Sequence, residues 1–360
     1  MDMTIAASAD NVAYFRQRLL AWYDEHARVL PWRSGPENRN KSDSYRVWLS
    51  EVMLQQTTVP HAAPYFDKFT KLWPTVKALA AADDAQVMAE WAGLGYYSRA
   101  RNLLKCARMV VQDYEGHFPK DENKLLKLPG FGPYTAAAVM AFAFEEAANV
   151  VDGNVERIMS RFYAVKAPFP ASRPELRRLA GLWVRPERAR DWPQALMDLA
   201  SKICRPKSPV CGECPLNSGC QAYAEGQADA YPVREAKVPK PVRYGVVFLI
   251  TSDEGVVVER RPDKGLLGGM LGLPHLEWRA EPWGNSEIPA KNGEICTGNY
   301  THVFTHFTLK QQVWFRHLSS AEMAEYLRQH NNYQLLTWAQ KKALPTVFGK
   351  ALKISHSDCN

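Results

Sequence analysis

The sequence predicts a mainly α domain followed by a smaller α+β domain, and three observations lead to this fold class. The chain has 360 residues, more than one hydrophobic core usually serves. From about Val12 to Ala224, apolar residues recur at the helical spacings of three and four. From Tyr244 onward, short runs of β-branched and aromatic residues separated by turns indicate strands instead.

A change of composition marks the boundary between the two domains. The segment from 231 to 243 contains Pro232, Pro239 and Pro241 and has no apolar period, as expected of an extended linker. We therefore predict a helical domain over 12–230, a linker over 231–243 and an α+β domain over 244–350.

Local signals place individual elements. Asp152 is a candidate N-cap, and a helix is predicted to begin just after it, because the apolar residues that follow share one helical face. In the second domain, a Ser-Asp-Glu-Gly turn at 252–255 predicts a hairpin between strands. The elements predicted there are strands over 244–251, 256–261, 302–309 and 311–318, and a helix around 320–329.

Composition excludes several classes of protein. With 46% apolar and 23% charged residues, the chain is not disordered. Its longest apolar run, from Ala136 to Phe144, falls far short of the roughly 20 residues that span a bilayer, so no membrane partner is expected. The first residues lack the basic and apolar blocks of a signal peptide, which predicts a cytoplasmic protein, nucleoid-associated in a bacterium. A net charge of +7 is compatible with nucleic acid but is not decisive.

Four of the seven cysteines form a compact cluster with C-x6-C-x2-C-x5-C spacing. Four thiolates so close together favour a [4Fe–4S] cluster over the alternative, a tetrahedral zinc site, which usually uses two separated C-x2-C pairs. Arg205 and Lys207 lie between the first two ligands, where they could reach phosphate oxygens or simply be solvated. The candidate ligands are Cys204, Cys211, Cys214 and Cys220.

The segment from Leu128 to Thr135 has the composition of a tight turn that leads into a helix. Gly130 and Gly132 allow close backbone approach, and Pro133 suits the first turn of the following helix. The N–H groups of such a turn can bind a phosphate without any side chain. Taken alone, the segment could equally be an ordinary connection between two helices.

Six motifs, in chain order, resemble those of the helix-hairpin-helix DNA glycosylases of the endonuclease III superfamily, and specifically the MutY adenine DNA glycosylases. The resemblance covers roughly residues 14 to 350. It implies a helix-hairpin-helix glycosylase domain with an iron–sulfur cluster lobe, followed by a MutT-like (Nudix-fold) α+β domain. The motifs are Leu30 to Arg33, Ser50 to Thr57, Gly93 to Arg99, the turn from Leu128 to Thr135, Val151 to Val155 and the four cysteines.

The resemblance also implies the reaction. A base-excision repair enzyme of this family, expected to act as a monomer, removes adenine mispaired with 8-oxoguanine or guanine in double-stranded DNA. The adenine must first be extruded, because its N-glycosidic bond is inaccessible inside the base stack.

Two carboxylates divide the chemistry of hydrolysis. Glu51 lies among apolar residues, where burial would keep it protonated, so we assign it as the general acid to an adenine ring nitrogen. Asp152 precedes a helix and would stay ionised, stabilising the oxocarbenium ion or bonding transiently to the sugar, and Asn154 would position that region. The simpler interpretations are an exposed glutamate and an N-cap aspartate.

Tyr134 distinguishes two branches of the superfamily. In the endonuclease III branch the corresponding residue is typically a lysine, which attacks the sugar and leads to strand cleavage. A tyrosine cannot form an imine, so the sequence predicts a monofunctional glycosylase in which Tyr134 supports the catalytic pocket. The alternatives are an endonuclease III-like glycosylase and lyase acting on oxidised pyrimidines, and a non-enzymatic iron–sulfur DNA-binding protein.

Further residues are assigned to DNA by the resemblance. Two motifs, 50–57 and 93–99, would enter the duplex. There, amide or aromatic side chains would replace the stacking that is lost when the adenine leaves the duplex. Trp32 and Arg33 would line the adenine pocket. The residues assigned to the duplex are Gln56, Thr57, Leu94 and Tyr96, with Gly130 and Gly132 of the turn.

The second domain resembles the MutT-like domain of the same family, without the glutamate-rich motif that binds magnesium in a Nudix hydrolase. The corresponding segment, Gly265 to Trp278, has only Glu277, so pyrophosphatase activity is not expected. The family recognises 8-oxoguanine through a Phe-Ser-His loop, whose equivalent here is Phe304, Thr305 and His306. Thr305 keeps the hydroxyl of the usual serine and adds a methyl group.

Overall fold

The computed structural model of the protein describes residues 9–37, 42–235, 239–262, 265–289 and 295–354. The chain divides into two compact units, Met1–Ala236 and Lys237–Asn360, and this division falls within the predicted linker. Of that linker, 236–238 lie outside the described residues. The first unit is helical and the second is α+β, which confirms the predicted fold class.

The helices of the first unit are separated by short turns and 3₁₀ segments. Its α-helices are α1 (Ala9–His26), α2 (Ser44–Leu54), α3 (Val59–Leu72), α4 (Val76–Ala80), α5 (Asp84–Glu90), α6 (Ser98–Tyr114), α7 (Glu122–Leu125), α8 (Pro133–Phe144), α9 (Gly153–Phe162), α10 (Arg173–Gly181), α11 (Asp191–Lys202) and α12 (Gln221–Ala224).

Two hydrophobic cores organise the helical unit. The first lies among α2 to α8, and α8 is buried nearly all round, as expected of a helix with apolar residues on every side. The second core joins α1 to α9, α10 and α11. The helix predicted after Asp152 is α9, and its apolar face lies in the second core. The chain crosses from one core to the other between α8 and α9.

The second unit is built on one mixed sheet. Strand β1 pairs with β5 in parallel, with Val242 opposite Thr308, and the remaining pairings are antiparallel. The strand order is β3-β2-β1-β5-β4, and β6 also pairs with β2. The elements are β1 (Val242–Thr251), β2 (Gly255–Arg260), β3 (Leu271–Gly272), β4 (Ile295–Val303), β5 (Thr308–His317), α13 (Ser320–Gln329), β6 (Tyr333–Thr337) and α14 (Thr346–Gly349).

The predicted hairpin, the strand 311–318 and the helix after residue 320 match β1, β2, β5 and α13, but the strand 302–309 was misplaced. The predicted strand 302–309 covers the end of β4, a loop and the start of β5. That loop, Phe304 to Phe307, contains no glycine, proline or asparagine, so its aromatic and β-branched residues look like a strand. In addition, β1 begins at Val242, directly after Pro241 and inside the predicted linker.

No helix in the ranges that the structure describes combines the length and apolar character needed to cross a membrane.

The tight pairing of β2 with β6 allows a test of the sheet. An added Cβ at Gly255 would collide with the backbone carbonyl of Leu336, so we expect Gly255→Ala to destabilise the second unit by about 1–3 kcal/mol. Hydrogen exchange followed by mass spectrometry should show faster exchange in β2 and β6 but not in the helical unit. Gly349→Ala is the matched control, because no atom lies within 4 Å of its added Cβ. Unchanged exchange at β2 in Gly255→Ala would contradict the packing described.

Candidate active site

A cavity of about 820 Å³ lies where elements of the two helical cores meet. It is lined by α2, by the start of α8 and by the start of α9, together with residues of α11. The structure thus brings together eight residues that the sequence placed in or near the adenine site. They are Trp32, Arg33, Glu51, Gln56, Thr57, Tyr134, Asp152 and Asn154.

Glu51 is a buried carboxyl group. It lies near the end of α2, whose first turn is capped by the Asp43 side chain, and only 6% of its surface is exposed. The Tyr134 hydroxyl donates a hydrogen bond of 2.7 Å to Glu51 Oε2. Burial raises the pKa of Glu51 to about 7, and the nearby charge of Asp152 adds to this, while the Tyr134 bond and Arg33 act in the opposite direction. The alternative of an exposed glutamate does not apply.

Tyr134 is held as a hydrogen-bond donor. It is the second residue of α8, and burial together with the neighbouring Glu51 raises the pKa of its hydroxyl well above 10. The phenol therefore stays protonated across the physiological range. No lysine lies among the residues described as lining this cavity.

Asp152 is an N-cap, as one interpretation predicted, and it also lines the cavity. As the N-cap of α9, its Oδ1 accepts hydrogen bonds of 2.9 Å from the backbone N–H groups of Asn154 and Val155. Its Oδ2 accepts a bond of 2.7 Å from the Asn154 side-chain amide. Because the same carboxylate also lines the cavity, capping fixes its orientation toward that space.

A chain of hydrogen bonds leads from Asp152 to the cysteine segment. The Asn154 Oδ1 atom accepts a bond of 3.1 Å from Arg157 Nη2. Arg157 Nε in turn donates to the backbone oxygen of Cys204 at 2.9 Å. The sequence analysis did not single out Arg157, although an arginine next to Ile158 on the apolar side of a helix is a signal of a buried partner.

Arg33 is fixed by a carboxylate that the sequence analysis also missed. Arg33 Nη1 donates to both oxygens of Asp198 at 2.8 Å, and the Arg28 side chain and backbone N–H bond to the same group. Asp198 is fully buried within α11. Its position among Leu196, Leu199 and other apolar residues of that helix is the signal that could have revealed it. Trp32, beside Arg33, packs edge-on against a neighbouring ring, that of Phe66.

The two loops assigned to the duplex differ in what they expose. Tyr96 is 54% exposed and Gln56 and Thr57 line the cavity, but Leu94 is only 5% exposed and packs in the first core. The side chain of Leu94 is therefore buried, and its contact with DNA stays a prediction. The physical reason for the burial is the turn formed by Gly93 and Gly95, both at positive φ, which directs Leu94 inward.

The glycine turn leaves the start of α8 open. Gly130 has φ of +82° and is exposed, and Gly132 is the N-cap of α8, with no atom within 4 Å of an added Cβ. Phe131, between them, stacks on Trp48 in the first core and anchors the turn. The space beside this helix end is open, and the binding of a phosphate there stays a prediction.

The four cysteines line one small pocket with apolar walls. All four are free thiols, and burial raises the pKa of Cys214 to about 12 and that of Cys220 to about 11. Within the described ranges, no three His, Cys, Asp or Glu side chains are placed to hold a single metal ion. Soft sulfur donors in an apolar pocket fit an iron–sulfur group, whose irons each take one thiolate.

Charged residues surround this pocket. Arg161 is 2% exposed and its Nη1 donates to Cys204 Sγ at 3.3 Å and to the Arg205 carbonyl at 2.7 Å. The Arg205 and Lys207 side chains are exposed, and Arg205 Nη2 donates to the Ser208 carbonyl at 2.8 Å. Both remain accessible to a phosphate.

In the second unit, the predicted recognition residues form the loop between β4 and β5. Phe304 packs on Trp278 and on Phe307, with ring centroids 5.5 and 4.8 Å apart, whereas Thr305 and His306 are exposed. Lys240 Nζ donates to the Phe304 carbonyl at 2.7 Å. Lys240, a residue of the predicted linker, was not recognised as part of this loop's environment.

Comparisons with known proteins agree with this architecture. Residues 49–186 match the HhH-GPD superfamily of base excision DNA repair proteins, and residues 246–353 match the NUDIX domain. The structure of a thermostable thymine-DNA glycosylase has a TM-score of 0.54 and 29% identity, covering 62% of this chain and all of that one. A non-covalent endonuclease III–DNA complex has a TM-score of 0.50 at 22% identity over 61% of this chain and 98% of that chain, which shows the shared fold.

Curated relatives extend over both units. The adenine DNA glycosylase of Mus musculus is 33% identical, covering 86% of this chain and 72% of the relative. That of Homo sapiens is 45% identical, covering 84% of this chain and 67% of the relative. That of Buchnera aphidicola subsp. Schizaphis graminum is 31% identical, covering 82% of this chain and 85% of the relative. Fold and site define a DNA glycosylase of the helix-hairpin-helix class. Within that class, the chain belongs to the adenine DNA glycosylase family.

The buried Glu51 generates a prediction about stability. Its pKa is about 7 in the folded protein and about 4.5 in an unfolded chain, so ionisation of the unfolded chain destabilises the fold as pH rises from 4.5 to 7. Above pH 7, the free energy of unfolding is lower by on the order of 3 kcal/mol for this reason. Glu51→Gln keeps an acceptor for Tyr134 without a charge, so its gain in apparent Tm over the wild type should grow between pH 5 and pH 8.

Thermal denaturation followed by circular dichroism across this pH range measures the effect. Glu146→Gln is the matched control, because Glu146 is exposed and should give no pH-dependent gain. A Tm difference that stays constant with pH for Glu51→Gln would mean that the fold does not hold this carboxyl protonated.

Proposed function

We propose that this chain removes adenine mispaired with 8-oxoguanine or guanine from double-stranded DNA, as a step of base-excision repair. The observation that carries the proposal is the cavity in which the protonatable Glu51, bonded to Tyr134, shares one space with the carboxylate of Asp152. Such a pair suits the hydrolysis of a glycosidic bond. Membership of the adenine DNA glycosylase family supplies the identity of the base.

Glu51 acts on the leaving group. After extrusion into the cavity, the adenine accepts the Glu51 proton on a ring nitrogen, the C1′–N9 bond breaks and its electron pair leaves with the base. The raised pKa of Glu51 keeps a large fraction of this group protonated near neutral pH. Tyr134, as a fixed donor, holds the Glu51 carboxyl in one orientation.

Asp152 acts on the sugar. Its carboxylate stabilises the positive charge that develops at C1′, through space or by a transient bond, until water attacks C1′ and passes its proton to the Glu51 carboxylate. Asn154 positions this carboxylate, because its amide and backbone N–H groups both bond to it. The products are free adenine and an abasic site.

The enzyme is monofunctional. Strand cleavage through an imine needs an amine at the sugar, and the cavity offers Tyr134 in place of a lysine. An activity on oxidised pyrimidines is not favoured by the family. A purely DNA-binding role would not require a buried, protonated Glu51.

The DNA surface extends around the cavity. Gln56, Thr57 and Tyr96 enter the duplex, where their side chains replace the stacking of the extruded base. Trp32 and Arg33 line the adenine pocket. The phosphates are contacted by the turn at Gly130 and Gly132 and by the exposed Arg205 and Lys207.

The cysteine pocket holds a [4Fe–4S] cluster. The proposal is supported by the spacing of the four cysteines and by the apolar pocket that they line. The cluster would supply a rigid cross-link of the four sulfurs rather than reaction chemistry. Residues 205–207 would then be presented to DNA in a fixed conformation.

The second unit inspects the base opposite adenine. Phe304 is anchored in the core, and the exposed Thr305 and His306 supply the polar groups that distinguish 8-oxoguanine from guanine. In this proposal, the domain over 12–230 excises the adenine and the domain over 244–350 recognises the opposite base. The enzyme acts as a monomer in the cytoplasm.

An incision assay tests the activity. We expect duplex DNA with labelled adenine opposite 8-oxoguanine to break only after alkali treatment, because excision leaves an intact strand with an abasic site. Breakage without alkali on a thymine-glycol duplex would support a lyase instead. The absence of breakage on both substrates would leave only the DNA-binding alternative.

The role of Glu51 predicts a pH profile. The single-turnover excision rate should fall up to tenfold per pH unit above about pH 7, because the protonated fraction of Glu51 decreases. Glu51→Gln should bind the mispaired duplex but lose at least 100-fold in rate. A variant with the wild-type rate would remove Glu51 from the mechanism.

The recognition loop is tested by a double variant. Thr305→Ala with His306→Ala should reduce the ratio of excision rates opposite 8-oxoguanine and guanine, since both exposed polar groups are lost. Thr305→Ser is the matched control and should keep the ratio, because its hydroxyl remains. Wild-type discrimination by the double variant would reject this role for the loop.

A further inference from the structure

One buried arginine lies beneath the two loops that are proposed to enter the duplex. Arg99, the second residue of α6, is 8% exposed. None of the described carboxylates forms an ion pair with it. Its charge is balanced by oxygen atoms of the backbone and of one hydroxyl, an arrangement that the planar guanidinium fork permits.

One terminal nitrogen of Arg99 holds the end of the helix that carries Glu51. Arg99 Nη1 donates to the carbonyl oxygens of Val52 at 2.9 Å and of Met53 at 3.0 Å. These carbonyls belong to the last turn of α2, where the regular helical bonds end and the Gln55 N–H also donates to the Val52 carbonyl at 3.4 Å. Arg99 therefore fixes the backbone directly after Glu51.

The other terminal nitrogen holds both loops. Arg99 Nη2 donates to the carbonyl oxygens of Leu94 at 2.9 Å and of Gly95 at 3.2 Å, and to Thr57 Oγ1 at 3.5 Å. The guanidinium carbon also lies 5.6 Å from the centre of the Tyr96 ring. A single side chain thus contacts three segments that are separate in sequence.

Both loops contain a residue in the left-handed region. Gln56 has φ of +58° and Tyr96 has φ of +46°, which is unfavourable for residues other than glycine. Such conformations persist only where the surroundings hold them. The contacts of Arg99 with Thr57 and Gly95, the immediate neighbours of these two residues, supply that restraint.

We propose that Arg99 is a positioning residue that joins the loop 55–58 and the loop 93–97 to the end of the Glu51 helix. The two loops then enter DNA as one body, and the extruded adenine arrives in a fixed relation to the Glu51 carboxyl. This inference rests on the proposed adenine excision. It assigns the restraint to the guanidinium fork and not to positive charge alone, since an ammonium group cannot bond to all five acceptors.

The first experiment needs no DNA. In Arg99→Lys, hydrogen exchange should accelerate at least tenfold in both loops, where Thr57 N–H and Leu94 N–H bond to Leu54 and Trp91. Arg16→Lys is the matched control, because Arg16 is equally buried, donates to the carbonyls of Trp183 and Glu187, and stacks on Trp192 away from the cavity. It should leave both loops unchanged. Unchanged exchange in Arg99→Lys, or acceleration in one loop only, would overturn the proposal.

The second experiment measures the consequence for DNA. A 2-aminopurine beside the target adenine reports its extrusion, and the single-turnover rate reports excision. For Arg99→Lys, we expect an extrusion signal and an excision rate each reduced about tenfold, with the affinity for undamaged duplex within twofold of wild type. If the Arg99→Met variant folds, its extrusion signal and its excision rate should both be lower than those of Arg99→Lys. Wild-type extrusion by Arg99→Lys would overturn the inference. Absence of excision by the wild-type protein would instead refute the proposed function, and the exchange data would still decide the role of Arg99.

Discussion

The hydrogen bond between Tyr134 and the buried carboxyl of Glu51 is the interaction on which the site depends. A carboxyl group in an apolar environment is costly to ionise, so burial favours its protonated form unless a cation pairs with it. The nearest candidate is Arg33, but its guanidinium is bonded to both oxygens of the fully buried Asp198. Glu51 is bonded instead to the neutral Tyr134 hydroxyl, and burial raises its pKa to about 7 although the Tyr134 bond and Arg33 both lower it.

Buried arginines connect this site to more distant segments. Arg157 and Arg161 lie one turn apart on α9, the helix that Asp152 caps. The first bonds to Asn154 and to the Cys204 carbonyl, and the second bonds to the Cys204 sulfur. The helix that Asp152 caps therefore also supplies part of the lining of the cysteine pocket, and its two arginines join it to the backbone and sulfur of Cys204.

Residue patterns in the sequence predicted the structure correctly wherever short-range preferences, such as helix capping and apolar periodicity, determine it. The cap at Asp152 and the apolar face that follows it gave the start of α9, and the apolar neighbours of Glu51 indicated its burial. The change of period at the linker separated the two units. A local rule failed at residues 304–307, where an aromatic loop without turn residues has the composition of a strand.

What could not be predicted are contacts between residues far apart in the sequence. Arg33 and Asp198 are separated by 165 residues, and Arg99 reaches Val52 across 47. In the sequence, Arg33, Asp198 and Arg99 are simply charged residues, and no spacing between residues indicates which partner each one has. The pKa of Glu51 depends on contacts of this kind. Burial raises it, and the Tyr134 hydroxyl and Arg33 lower it, with Arg33 itself held by Asp198. The protonation of Glu51 is thus set by residues that its own motif does not contain.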